Sequence, residues 1–478
     1  MTVFDLFRRP LAALAIATTS LMLALPAHAE VVFQDITSPQ GIKAWLVEDY
    51  AVPIVTIRFS FEGGTTQDPA GKEGLTTLLT TLFDEGAGDL DSETFQIALD
   101  NAGAEMGFNA DNDALYGSMR MLAEQRDEAV GLLKLAIEAP RFDQNPIDRM
   151  RAQLVTGIIA DAQDPSTAAQ RQWATALYGE HPYARRSEGT PETLATLTAE
   201  DLRQRHQDLF ARDNLHVAIV GAIDAEEAAA MLDTLFAGLP AAPTLTPIAD
   251  IAPVLGQDLR VDYPLPQTTI FMAYPGLDRR DPDYFTAYIM AHILGGDAFS
   301  SRLTTEVREK RGLTYGISAN LSNQVHSNSL IIGTSTRADR ASETLSVIEA
   351  VVADLAANGP TPEELEAAKQ YLIGSFPIEQ LTSSAAIANT LISLQRWDLG
   401  IDYVARRGDL INAVTIEDVK AMADRLLTAK PTIMQMGPAP EAAPATQAEP
   451  APAPETAPAP APGTAPAPEA EPASEPAA

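Results

Sequence analysis

The strongest constraint on this fold is that the chain repeats itself. Val55 to Phe61 (VTIRFSF) alternates like a half-buried strand, and Thr269 to Tyr274 (TIFMAY) does the same about 200 residues later. Each is followed by an acidic proline turn and a helical segment: Gln67-Asp68-Pro69 before Leu75–Phe83, and Arg280-Asp281-Pro282 before Tyr284–Leu294. Ala102-Gly103 through Met106-Gly107 to Ala110 keeps its glycine spacing in Arg311-Gly312 through Tyr315-Gly316 to Ala319. Strand-like segments follow both, Leu115 to Met121 and Ser329 to Thr334. Then come helix starts at Asn145-Pro146 with Asp148 and at Thr361-Pro362 with Glu364, where the second pattern is a capping box. An internal duplication is the economical reading, each half being about 200 residues of mixed α and β.

Composition sets the limits of the repeat. Residues 1–29 read as a secretory signal: Arg8-Arg9, an apolar run from Leu11 to Leu25, and a small-residue cleavage site at Ala27-His28-Ala29. The run is short for a membrane span, although an uncleaved anchor is the rival reading. The chain has no cysteine, so neither disulfides nor a thioether-linked lipid are available to it. A soluble periplasmic protein is expected. The formal charge is −32, which disfavours nucleic acid and anionic lipid as partners. Residues 438–478 are almost all Ala, Pro and Glu, a composition that cannot bury a core. The expected organisation is a signal at 1–29, a first domain at 30–238, a Pro-rich linker at 239–250, a second domain at 251–437, and the tail 438–478.

The usual catalytic motifs are absent. There is no G-x-S-x-G elbow, and Leu294-Gly295-Gly296-Asp297 lacks the lysine of a phosphate loop. No two of His181, His206, His216, His292 and His326 have metal-ligand spacing. His181, in Tyr178-Gly-Glu-His-Pro-Tyr183, reads as a structural loop histidine, and the others as surface or helix-end residues. A site assembled from distant residues stays open.

The Leu75–Phe83 segment carries one apolar stripe (Leu75, Leu78, Leu79, Leu82, Phe83) beside one of threonines (Thr76, Thr77, Thr80, Thr81). Strand, glycine-rich turn, Gly74 and this helix resemble the start of the pitrilysin/insulinase metallopeptidases. The most specific match is the run Leu294-Gly-Gly-Asp-Ala-Phe-Ser-Ser-Arg-Leu303 through Arg308 to Tyr315, which resembles the C-terminal-half motif of that family. The likeness covers nearly all of 33–437. It implies an α+β fold of two homologous halves, each an antiparallel-rich sheet with packed helices, forming a clamshell. In the family the first helix carries H-x-x-E-H, two zinc-binding histidines and a water-activating glutamate. A further glutamate ligand follows on a later helix. Laid on that pattern, the positions here are Thr77, Thr80, Thr81 and Gly157, and none offers an imidazole or a carboxylate.

The resemblance also assigns Arg308 and Tyr315, seven residues apart, to holding the substrate backbone and the oxyanion formed on it. A guanidinium and a neutral phenol are both hydrogen-bond donors at neutral pH, so the assignment is chemically sound. Read alone, Arg308 would be part of a solvated charged helix and Tyr315 a core aromatic. The family includes heterodimers in which one chain supplies H-x-x-E-H and the other the Arg/Tyr pair. The implied function is a zinc-free subunit that binds peptide and completes the site of a homologous, zinc-bearing partner. The alternative is a non-catalytic periplasmic peptide-binding or scaffold protein.

Overall fold

The computed structural model describes residues 31–296 and 300–439; the signal and nearly all of the tail lie outside the described residues. Two sheets organise them. The first contains β1 (Gln34–Thr37), β2 (Lys43–Glu48), β3 (Ile54–Glu62), β4 (Glu105–Ala110), β5 (Ala114–Leu122) and β6 (Leu215–Gly221), in the order β1-β2-β6-β3-β5-β4. The second contains β7 (Asp258–Asp262), β8 (Gln267–Pro275), β9 (Thr314–Gln324), β10 (Ser327–Arg337) and β11 (Thr432–Gly437), in the order β7-β11-β8-β10-β9. Remove β1 and the two orders coincide. The only parallel pairs among the described residues, β2 with β6 and β7 with β11, occupy matching places. Sequence alternation explains the central strands: Val55, Ile57, Phe59 and Phe61 enter the first core, and Ile270, Met272 and Tyr274 the second.

The helices needed below fall in both halves. They are α1 (Leu75–Thr80), α2 (Gln144–Asp161) and α3 (Pro165–Tyr178) in the first half. In the second half they are α4 (Tyr284–Gly295), α5 (Ala341–Asn358), α6 (Pro362–Gln380), α7 (Ser384–Arg396), α8 (Tyr403–Ala413) and α9 (Ile416–Leu427). Two details differ from expectation. The helix expected over Leu75–Phe83 stops at Thr80, because the Thr80 and Thr81 hydroxyls donate to the carbonyls of Thr77 and Leu78, and Leu82 N–H bonds only three residues back. Leu82 and Phe83 still reach the core from the turn that follows. The cap of α2 is Asp143, not Asn145, and its side chain does not bond the helix. At α6 the capping box of Thr361 and Glu364 forms as expected.

The two halves interlock by exchanging one helix each. On β6, Val217 and Ile219 point into the first core, while Ala218 and Val220 point to the other face and pack on Ile387, Ala388, Leu391 and Ile392 of α7. Gln395 donates to Val217 O at 2.9 Å, and Thr56 and Ser384 share a hydroxyl hydrogen bond at 2.9 Å. Reciprocally, α3 covers the second sheet: Trp173 lies 6.1 Å from Phe271 and Ala169 packs on Met434 and Met436. The Pro-rich stretch between them is pinned to both halves, by Gln67 with Thr246 and by Ile251 N–H to His326 O. All of 31–439 therefore belongs to one compact unit.

Candidate functional site

The first-half site is built from a turn and a short helix. Gly74 caps α1 at φ +92°, and a Cβ there would sit 2.7 Å from Glu188 O, so only glycine fits. Asp68, buried beneath the turn, accepts from the N–H groups of Gly74 and Thr76 and from the Thr76 hydroxyl. Arg205, also buried, donates to Thr76 Oγ1 and to the carbonyls of Gly63 and Gly64. Burial pushes the Asp68 carboxyl up to about 6, although the Thr76 hydroxyl and the Arg205 charge pull the other way.

The three threonines on the zinc motif, Thr77 and Thr81 at its histidines and Thr80 at its glutamate, are all turned to the protein's own backbone. Thr77 donates to Ser187 O at 2.6 Å, Thr80 to Thr77 O and Thr81 to Leu78 O, each at 2.8 Å. Gly157 is exposed on α2. Neutral hydroxyls engaged as donors, with no carboxylate or imidazole beside them, do not fit a zinc ion. Among the described residues no group of three His, Asp or Glu could hold a metal. His181 ties its loop to the Pro-rich stretch, with Nε2 at 2.9 Å from Ala249 O and Nδ1 accepting from Tyr183 N–H. His206 takes the helix-end alternative, in the last turn of Ala199–Leu209, and is largely enclosed there, bonded to Ile137 O and packed on Phe210; burial lowers its pKa.

The second-half site is a π-helical turn leading into an edge strand. Thr304–Glu309 forms the turn, with Lys310 N–H bonding five residues back to Thr305 O. Leu303, Val307 and Leu313 anchor it in the second core. Within its charged run, Glu306 pairs with Lys310 and Arg311, both at 2.6 Å, and these cations hold its carboxyl low. Arg302 grips Glu364 with two bonds of 2.7 Å and also reaches Asp354 and Gly359 O, which ties the turn to α5 and α6. Asp297 and Phe299 of the same motif lie outside the described residues.

Tyr315 then sits on a β-bulge. Thr314 opposes Thr336 and Ile317 opposes Thr334, so Tyr315 and Gly316 together face Ser335. The bulge is stitched by Thr334 Oγ1 donating to Gly316 O at 2.8 Å and by Gly316 N–H donating to Thr314 Oγ1. It turns the tyrosine out of the sheet, leaving it 91% exposed, with the Arg308 guanidinium 5.4 Å from its ring centre. The core-aromatic reading of Tyr315 is thus excluded. The structure brings Arg308 and Tyr315 together, whereas Thr77, Thr80 and Thr81 belong to the other half, beside the first core.

Sequence reasoning missed the joint between the halves. Tyr183 donates to Asp113 at 2.7 Å and accepts from His326 N–H at 2.9 Å, while Val325 N–H bonds Asp113. Burial raises the Asp113 carboxyl and the Tyr183 hydroxyl. No local pattern marks such residues, since their partners lie 70 or more positions away.

Comparison with known proteins agrees with this geometry. A family model described as "Peptidase M16 inactive domain" matches residues 196–372, a span that contains Arg308 and Tyr315. A crystal structure of a peptidase M16 inactive domain from Pseudomonas fluorescens superposes with a TM-score of 0.79 at 30% identity, covering 86% of this chain and 98% of that one. A Helicobacter pylori protein named a non-peptidase homolog is 24% identical, over 72% of this chain and 79% of that protein. A Streptomyces coelicolor protein named an uncharacterized zinc protease is 25% identical, over 78% and 83%. The chain belongs to the M16 peptidase family, the pitrilysin/insulinase group, and is an inactive homologue within it.

Proposed function

We propose that this protein is an exported, zinc-free subunit that holds peptide and completes the active site of a homologous partner carrying an intact H-x-x-E-H. The observation that carries the reading is Tyr315: a phenol held in solvent by a bulge at a sheet edge, with a guanidinium beside it. An exposed large aromatic in that setting does nothing for the core. Two donors at an edge strand suit a peptide backbone laid along the sheet, where Arg308 and Tyr315 would donate to a carbonyl or to the charge that develops on it. Zinc would belong to the partner, because Thr77, Thr80, Thr81 and Gly157 cannot supply ligands. Residues 1–29 support a periplasmic location, and among the described residues no helix is long and apolar enough to cross a membrane.

The test is reconstitution with a zinc-bearing homologue from the same cell. Peptidase activity that appears only in the mixture, and collapses with Arg308→Ala plus Tyr315→Phe here, is the expected result. An unchanged rate in that double variant would sink the shared-site reading. If the lone chain binds peptide and no homologous partner co-purifies, the peptide-binding or scaffold function takes its place.

A further inference from the structure

A second candidate site lies between α4, α6, α7 and α8, independent of the Arg308–Tyr315 pair. It is a cavity of about 250 Å³ with two guanidiniums in its wall, Arg279 and Arg407. Arg407 is only 6% exposed. Buried charges in proteins are ordinarily paired, since leaving one unpaired inside is costly. Neither guanidinium takes part in an ion pair among the described residues, although each has a neighbour in sequence that does: Arg280 with Asp278, and Arg406 with Asp402. What they have instead is neutral. Arg407 donates to Leu372 O at 2.7 Å and lies 4.4 Å from the centre of the Phe376 ring. Arg279 donates to the Tyr403 hydroxyl at 3.3 Å and lies 4.7 Å from the centre of the Tyr284 ring. Desolvation acts against the charge of Arg407, and Arg279 adds to that effect.

The remaining lining is suited to a ligand. Tyr288 and Phe285 wall the cavity beside the two cations, and Asn389 and Ser393, one turn apart on α7, sit exposed at its rim. Neither Asn389 nor Ser393 uses its side chain in a hydrogen bond to another described residue. The carboxylate that also lines the cavity, Glu379, is exposed and pairs with neither guanidinium. We propose that this cavity binds a small carboxylate, held by Arg279 and Arg407, either as a free organic acid or as the C-terminal carboxylate of a peptide. Paired guanidiniums match the two oxygens of a carboxylate, and the aromatic walls accept a short apolar substituent. The volume suits a carboxylate with a short substituent and is small beside the ~300–1,000 Å³ of pockets that enclose drug-sized ligands.

The full chain should be titrated at constant ionic strength with sodium acetate, trialanine, trialanine amide and inorganic phosphate, following heat of binding and melting temperature. Saturable binding of trialanine or acetate, with the amide silent, is expected. Response to trialanine alone assigns a peptide terminus, and equal response to acetate assigns a free acid. Ser393→Asp, an exposed change that leaves the fold intact, places a negative charge at the rim and should weaken the affinity at least ~10-fold. Arg407→Met should abolish binding; if it fails to fold, Ser393→Asp and the amide control still decide. The proposal is overturned if neither carboxylate binds, if the amide binds as well as the acid, if only phosphate binds, or if Ser393→Asp changes nothing.

Discussion

The two halves of this chain share one strand order but treat matching places in opposite ways. After β3 the first half makes a buried Asp68 turn and a short, threonine-rich α1 whose hydroxyls donate to the Asp68 carboxylate and to backbone carbonyls. After β8 the second half makes the corresponding turn with a half-buried Asp281, and the long α4 that follows runs into a π-turn and a bulge that push Tyr315 into water. The first half engages the hydroxyls at its zinc-motif positions in its own backbone bonding. The other keeps an irregular edge whose donors face outward. The proposed peptide-holding pair therefore belongs to the second half, and one shared topology accommodates both arrangements.

The comparison breaks most visibly at the exposed pair. In the reconstituted mixture, Arg308→Ala plus Tyr315→Phe should lower the peptidase rate by about 10³-fold, ~4 kcal/mol of transition-state stabilisation. Its melting temperature should move little, because Tyr315 packs on nothing in the core. Next in size is the helix exchange. Leu391→Ala, on the second-half helix that covers the first sheet, should cost about 3 kcal/mol in chemical denaturation. Both halves should still unfold in one transition; two separated transitions would show that the exchange does not couple them.

A smaller effect is expected at Asp68. Its native carboxyl keeps its proton up to a pKa of about 6, against 3.8 as the ordinary value. Between those values the folded state binds more protons than the unfolded one, so stability falls as pH rises. The penalty is absent below about pH 4 and complete above about pH 6, where it reaches ~2–3 kcal/mol. Asp68→Asn should flatten this slope, as read from urea denaturation across that window; an equal slope in the variant would remove Asp68 as its source. Smallest of all, Thr77→Val should cost about 1 kcal/mol for the lost bond to Ser187 O and leave the mixture's peptidase rate unchanged. A fall in that rate would mean that the first half still takes part in the chemistry.

Much of this was legible in the chain. Alternation in Val55–Phe61 and Thr269–Tyr274, the glycine pairs before β5 and β10, and the Thr361–Glu364 box are local signals, and each appears where it was expected. The end of α1 was not, because helical spacing of Leu82 and Phe83 continues past the point where threonine hydroxyls take the helix carbonyls. Nor was the exposure of Tyr315: an aromatic entering a strand normally faces the core, and only the pairing of β9 with β10 reveals the extra residue. Arg279 and Arg407 are 128 positions apart and carry no motif.

By itself the sequence determined the duplication and the α+β class, which depend on periodicity; with the family resemblance to locate the positions, it also determined that Thr77, Thr80, Thr81 and Gly157 offer no imidazole or carboxylate. Tertiary structure alone decided that α3 and α7 cross over to cover the opposite sheets, that a bulge lifts Tyr315 beside Arg308, and that two unpaired guanidiniums share a cavity. Each of these rests on which faces meet across distant segments, and such contacts leave no trace in local order.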